Sequence, residues 1–368
     1  MARVPVLPQN TELTYLAEGA ANIVYRISIR PLTPEPTLLE QYGPGTPPPT
    51  DIEPEDEVEY LNEQPLFDSK LLRLRKNLPT TFPVAIAQEK WEQLVAPLFS
   101  PDQIVEQSLV DLRPGRFIAS LNQKLRNNET GANSSSRPTN RLGIYLADDD
   151  YGLLVTDMTN FDSVNGEEVH EFKLKWLLQS PSAPKDAVRC RQCARSAQEN
   201  VKRRANGKPY KQYLCPLDAV SDDPRGIAQA ASLMGTSEGN RRRIKRWLEN
   251  STLLKRLRQL QAELDPIGVL THDPPNEKSC VAMTLRDCTL FLRLPRNEAG
   301  DALIEARLGD LDVKSPDKAP YWKQTELELI NDGFYQGRDG LPLDCALSPD
   351  QEGRFRRLNL GLGRGFGA

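Results

Sequence analysis

The chain has 368 residues, enough for two modest lobes or one large domain, and its formal charge of -4 leaves no overall basic footprint for nucleic acid. Its first residues, MARVPVLPQN, lack the apolar centre of a signal peptide, no run is apolar enough to span a membrane, and the six cysteines read as intracellular thiols rather than a secreted disulfide framework. Two histidines, His170 and His272, are poor material for a His-rich metal site or for histidine acid–base chemistry, so a catalytic base is expected to be a carboxylate.

The first predicted element is a hairpin at residues 16–27, LAEGAANIVYRI. Leu16 on one side and Ile23, Val24, Tyr25 and Ile27 on the other favour a pleated, half-buried surface. Between them, Gly19, Ala20, Ala21 and Asn22 make a turn with little side-chain bulk. Such a turn suits an anion lying against backbone N–H groups, and it equally suits a hairpin that needs small residues for its geometry. Neither GxxxxGK[ST] nor GxGxxG is present. Residues 31–56 are rich in proline and acid and read as a solvated insertion between two strands.

In SKLLRLRKNL, Leu72 and Leu74 alternate with Arg73 and Arg75, which predicts a strand with one basic face. QEKWEQLVAPLF places Trp91, Leu94, Val95 and Leu98 on one face of a helix. NQKLRNNETGANSSSRPTNR reads as a polar loop ending at Arg141, and YGLLVTDMTNF as a buried strand leading into a connection at Asp157 and Met158. A small sheet with one packed helix, followed by a larger mixed region, is the α+β plan of a two-lobed kinase-like fold. The expected division is an N-terminal lobe over 1–156, a C-terminal lobe over 157–349 and a frayed tail over 350–368.

Further along, EFKLKW predicts a strand with Lys173 and Lys175 on one side. RRRIKRWLENSTLLKRLRQLQAEL predicts a basic amphipathic helix or helix pair. SCVAMTLRDCTLFLRL reads as strand, turn at Arg286–Asp287, strand, and EARLGDLDVK as a strand ending in Asp310 and Asp312. YWKQTELELINDGFY reads as a helix. Aspartates at strand ends are common turn residues. With a bare turn and a small N-terminal sheet, they also fit a phosphotransferase, in which one carboxylate orients the attacking hydroxyl and another holds magnesium. Concentrated basic runs in an acidic chain point to a positive cleft.

In this order, EGAANIVYRI, LLRLRK, LVTDMTNF, EFKLKW, MTLRDCTLFL and GDLDVKSPDKAPYW resemble the motifs of the inositol-pentakisphosphate 2-kinases. The proline insertion and the WLLQSPSAP…RCRQCA stretch resemble the fungal branch. The resemblance implies ATP and Mg2+ as cofactors and inositol 1,3,4,5,6-pentakisphosphate as the substrate, phosphorylated at its 2-hydroxyl. It implies that Gly19, Ala20, Ala21 and Asn22 cover the ATP phosphates, that Arg73 contacts them, and that Asp157 and Met158 lie where the adenine is held. Asp287 would be the general base, Asp310 and Asp312 would bind magnesium, and Arg141, Lys173, Lys175, Lys314, Lys318 and Trp322 would hold the substrate. Five phosphomonoesters, each carrying roughly -1.5 to -2 charges, account for so many cations. A monomer, nuclear or cytoplasmic, needing neither membrane nor nucleic acid, is the expected form.

There are departures. The lysine strand reads KLK where the family often has KPK, and Cys193 stands where plant members have a histidine. Tyr321 beside Trp322 leaves the register of the aromatic contact open. The zinc knuckle of plant members has no counterpart at the same place. Cys190, Cys193 and Cys215 are three ligands where a structural zinc needs four, so free thiols are expected. The rival reading is a nucleic-acid or protein-binding module built on the CxxC segment and RRRIKR, without ATP turnover. A protein kinase is the nearest enzyme rival, but HRDxxxxN and DFG are absent.

Overall fold

The computed structural model describes residues 3–30, 66–130, 137–159, 167–295 and 304–362. The proline-rich insertion at 31–56 lies outside them. The chain forms two compact units, Met1–Glu89 with Glu106–Asn160, and Lys90–Val105 with Phe161–Ala368. Residues 90–105 therefore belong with the second unit, and the other division falls a few residues beyond the expected one at 156.

The first unit is built on an antiparallel sheet of β1 (Thr11–Glu18), β2 (Asn22–Ile29), β3 (Lys70–Arg75), β4 (Gln107–Asp111) and β5 (Tyr151–Thr156), in the order β1-β2-β3-β5-β4. Period-two alternation on β3 sends Leu72 and Leu74 into the core and leaves Arg73 and Arg75 on the other face. The helix packed on this core is α2 (Phe117–Thr130), through Phe117, Ile118, Leu121 and Leu125. This corrects the polar-loop reading from Asn122 onward, because Leu125 supplies the next turn of the apolar stripe. Helix α1 (Val84–Leu94) forms but starts earlier than expected and ends before Val95 and Leu98, the latter in a separate 3-10 turn at Ala96–Leu98, and its Trp91, with Val95 after it, joins the core of the second unit.

The second unit carries an antiparallel sheet of β6 (Glu168–Phe172), β7 (Thr289–Leu294) and β8 (Glu305–Gly309). Its helices are α3 (Arg191–Ala205), α4 (Pro224–Met234), α5 (Glu238–Asn250), α6 (Thr252–Leu264), α7 (Glu277–Leu285), α8 (Ala319–Asn331) and α9 (Gln351–Leu362). Ser251 ends α5 and caps α6 by accepting from the Leu254 N–H, so the basic stretch is a helix pair. Ile244 and Leu248 face the core, and Arg242 and Arg246 face outward.

Two sequence expectations change here. SCVAMTL is the helix α7, not a strand, and every residue from Ser279 to Leu285 is buried. A short apolar run buried on all sides carries no periodicity to separate helix from strand. The segment after 350 is not frayed throughout, since α9 starts at Gln351 and buries Arg354, Phe355 and Leu358. Among the described residues, no helix is long and apolar enough to cross a membrane.

Candidate active site

In the second unit, the strand register gathers the chemistry at one end of the sheet. Phe172 pairs with Leu290, and Thr289 pairs with Gly309. Continuing both registers past the strand ends sets Lys175 level with Asp287, and Asp310 level with Cys288. Lys173 and Lys175 lie beyond β6, not on it, and Lys175 has a left-handed backbone with φ of 63°. Their convergence therefore comes from the backbone turn after Phe172 and not from strand alternation. Asp310 also takes a left-handed φ, 57°, just after β8.

The side chains interlock. The Asp287 carboxylate accepts from Lys175 through Oδ1, and its Oδ2 lies 2.8 Å from Lys314 Nζ. Lys173 Nζ lies 2.7 Å from Asp310 Oδ2 and 3.4 Å from the Asp287 carbonyl oxygen. Burial alone would raise the Asp287 pKa, but Lys314 and Lys175 overcome it and hold the carboxyl well below its ordinary range. Burial lowers and Asp287 and Asp310 raise the Lys314 pKa, with a net upward shift. At Lys318, burial and the neighbouring Lys314 charge prevail, and the pKa falls. The Asp312 carbonyl accepts from the Thr284 hydroxyl at 3.3 Å, and that hydroxyl accepts from the Lys314 N–H at 2.9 Å, so the Asp312–Lys314 segment is tied to α7.

Trp322 is not available to a ligand. It is 7 % exposed and packs in the main core, while Tyr321 is 63 % exposed. The helical turn at the start of α8 points the two neighbours in different directions, and the outward aromatic is Tyr321.

Two residues that sequence reasoning missed, Gln261 and Arg286, hold this geometry. Gln261 is fully buried on α6; its Nε2 donates to the carbonyls of Lys175 and Leu285, both at 3.0 Å, and its Oε1 accepts from the Leu177 N–H at 2.9 Å. Arg286 precedes Asp287; its guanidinium pairs with the buried Asp265 carboxylate and donates to the Gln261 carbonyl at 3.1 Å. It also stacks 3.9 Å from the ring of Trp176, the residue after Lys175, whose ring takes Arg191 at 4.5 Å as well. Asp287 and Lys175 are thus each flanked by an anchored neighbour. The only advance signal was a polar Gln and Arg inside apolar runs. His272 lies 2.9 Å from Asp265, a structural pairing, and His170 stacks on Phe172.

In the first unit, the bare turn is a distinct construction. The Gly19 N–H donates to the Asn22 carbonyl at 2.9 Å. Lys76 anchors the turn from within: its N–H donates to Ala21 O and its Nζ to Gly19 O, both at 2.8 Å. The same Nζ pairs with Glu18, which also takes Arg137 at 2.8 Å, and these three side chains are almost wholly buried. At Glu18, burial raises the pKa, but Arg137 and Lys76 prevail and lower it. Gly19 has no left-handed backbone, and a Cβ there would meet nothing within 4 Å. Hairpin geometry therefore does not require the missing side chain.

The remaining first-unit candidates are placed less uniformly. Arg73 is 8 % exposed and donates to Gln107 Oε1 at 2.9 Å, which commits it to a buried polar network with Gln88. Arg141 ends a 3-10 turn within electrostatic reach of Lys76. Asp157 follows β5 and accepts from the Thr159 N–H at 2.8 Å, and Met158 is buried.

The first unit thus carries an anchored bare turn, and the second, by itself, carries aspartates set among lysines. The model of the family described as inositol-pentakisphosphate 2-kinase matches residues 15–328. The chain belongs to that family. It is also 33 % identical over 172 residues to a protein of Yarrowia lipolytica named inositol-pentakisphosphate 2-kinase. That alignment covers 45 % of this chain and spans about half, 53 %, of the relative.

Proposed function

We propose that the chain is an ATP-dependent kinase that phosphorylates the 2-hydroxyl of inositol 1,3,4,5,6-pentakisphosphate, giving the hexakisphosphate. The observation that carries this reading is the Asp287 carboxylate lodged between Lys175 and Lys314, with the Lys173–Asp310 pair beside it. Four lysines, 173, 175, 314 and 318, gather around three carboxylates, Asp287, Asp310 and Asp312, so a surplus of positive charge remains at this end of the sheet. A polyanion is the ligand that such a surplus fits.

Within this reading, Asp287 receives the hydrogen bond of the attacking hydroxyl and takes its proton late, as the phosphoryl group transfers. Without ligand it is a weak base, because two lysines stabilise its ionised form. Substrate phosphates that draw Lys175 and Lys314 away would raise its pKa toward a useful range. The lysines would thus bind substrate and release the base in the same step.

Asp310 fits a magnesium ion by its chemistry, a half-exposed hard oxygen donor in a fixed left-handed turn. One carboxylate with nucleotide phosphates suffices for such a site, and Asp312 would be the second donor. Magnesium would neutralise charge on the nucleotide phosphates. Asp310 would then exchange its Lys173 partner for the ion, freeing that lysine for the substrate. The open space over Gly19 supports nucleotide phosphates at the bare turn, with Ala20, Ala21 and Asn22. Tyr321 replaces Trp322 as the aromatic substrate contact.

Incubation with radiolabelled ATP, magnesium and a panel of inositol phosphates tests the proposal. Label is expected in inositol hexakisphosphate formed from the pentakisphosphate. Label in a protein or RNA, or none in any inositol phosphate, would overturn it.

A further inference from the structure

Helix α3 runs into a basic hairpin. Residues 202–213, KRRANGKPYKQY, carry five cations and no acid, in a chain whose formal charge is -4. The backbone of this segment is held at both ends. Gly207 takes a left-handed φ of 66°; its N–H donates to the Arg204 carbonyl at 3.1 Å and the Lys208 N–H to the Arg203 carbonyl at 2.9 Å, the pairing that closes a helix on a glycine. Arg203 Nε then donates to the Pro209 carbonyl at 3.0 Å. Asn200, buried on α3, clamps the returning chain with two hydrogen bonds of 2.9 Å to the Lys211 backbone.

This frame leaves the charges outward and unneutralised. Lys202, Arg204, Lys208 and Lys211 are exposed and Arg203 is half-buried, and among the described residues none of the five has an ion-pair partner. Of the acids within electrostatic reach, Asp339 pairs with Arg189, Asp344 lies 3.5 Å from Arg357, and Glu328 accepts from Gln198 and Gln324. Glu199 remains against five cations. Cations in the last turn of a helix complement its dipole, which accounts for Lys202, Arg203 and Arg204. It does not account for Lys208 and Lys211, which lie beyond the helix. Between those two lysines in the chain, Tyr210 is 50 % exposed, and the Lys211 ammonium lies 5.2 Å from the Tyr213 ring.

We propose that the hairpin of residues 202–213 is a docking surface for single-stranded nucleic acid, made of residues distinct from those around Asp287. Unpaired cations fit a run of phosphates, and an exposed tyrosine among them fits an unstacked base; that combination holds single strands without reading their sequence. An anionic membrane would use the same cations but also needs apolar side chains to enter its interface. Here α3 turns Ala194 and Ala197 into the core, and Val201 packs against it. The basic run on α5 is less free for a strand, since Lys245 lies 3.6 Å from Glu249 and Arg241 Nε donates to the Gly235 carbonyl at 3.2 Å.

Fluorescence anisotropy of the full chain with labelled oligouridylate and oligothymidylate tests this. The two strands should bind alike, and a duplex more weakly, because its bases are already stacked. The slope of log affinity against log salt should be about -0.7 per phosphate contacted, roughly -3.5 if all five cations engage. The triple variant Arg204→Gln, Lys208→Gln, Lys211→Gln should move that slope toward roughly -1.4 and weaken binding more than tenfold at low salt. Tyr210→Ala should weaken binding roughly 5- to 150-fold with the slope unchanged, while Tyr210→Phe keeps wild-type affinity. All these variants should phosphorylate inositol pentakisphosphate as wild type does, and Lys173→Ala with Lys175→Ala should still bind the strands. Absence of strand binding, tighter binding to phosphatidylserine vesicles or to duplex, wild-type affinity in Tyr210→Ala, or binding lost with Lys173 and Lys175 but kept in the triple variant would each overturn the proposal.

Discussion

Gln261→Leu separates a positioning role from simple packing. The change keeps the volume roughly constant but removes three hydrogen bonds to buried backbone groups, the carbonyls of Lys175 and Leu285 and the N–H of Leu177. Leaving each buried group unsatisfied costs about 1–3 kcal/mol, and leucine recovers part of this by apolar burial. The net loss should be about 3–5 kcal/mol, a large share of the roughly 5–15 kcal/mol that holds a domain together. Urea denaturation followed by tryptophan fluorescence reads this directly. All four tryptophans, at 91, 176, 247 and 322, lie in the second unit. The midpoint should fall with little change in slope. At low temperature, where the variant is still folded, kinase activity should fall more than tenfold because the Lys175 and Asp287 segments lose their common anchor. A midpoint within about 1 kcal/mol of wild type, or normal activity in the folded variant, would refute the reasoning.

Other outcomes follow from the same geometry. Asp287→Asn should leave the fold and ATP binding nearly intact while turnover drops roughly 10²-fold or more; near-normal turnover would remove Asp287 from the mechanism. Because the folded carboxyl is held below its ordinary value, its stabilising contribution is complete above about pH 4 and is lost as pH falls through the folded value. The difference in melting temperature between wild type and Asp287→Asn should therefore be constant at neutral pH and shrink below about pH 4. Lys173→Ala and Lys175→Ala should each raise the substrate KM by roughly 5- to 30-fold, about 1–2 kcal/mol after allowing for partial exposure, with a gap that narrows as salt rises. Substrate titrations at low and moderate salt check this, and wild-type-like curves would leave the lysines as surface residues. Glu18→Gln leaves the buried Lys76 and Arg137 without a carboxylate between them and should destabilise the first unit by about 3–5 kcal/mol. Hydrogen exchange of the β1–β2 amides would report it, and unchanged protection would show that the pair of cations tolerates the loss.

Much of the candidate site was legible because local chemistry marked it. Asp287, Asp310 and Lys314 stood at the ends of apolar runs, where a sheet delivers polar residues to one edge. The bare turn at Gly19 was legible too, but its alternatives were not separable without the space around it. What misled were places where one local rule had two solutions. SCVAMTL is apolar throughout, so strand and helix fit it equally, and helix won because α7 is buried on every side. Trp322 and Tyr321 are adjacent aromatics, and only the helical phase of α8 tells inward from outward.

Local pattern was enough for the hairpin around Gly19, the strand β3, the helical character of residues 241–264, the turn at Asp287 and the residue types of the site, because period and turn residues act over a few positions. Tertiary structure alone decided that Lys173 and Lys175 meet two different aspartates beyond the end of β6, that Gln261 and Arg286 hold the segments carrying Lys175 and Asp287, and that Cys345 joins Cys190, Cys193 and Cys215 in a sulfur tetrad. Each of these joins groups many residues apart. Their contact depends on strand register and on buried pairs formed only when the whole unit closes, and no local pattern carries that information.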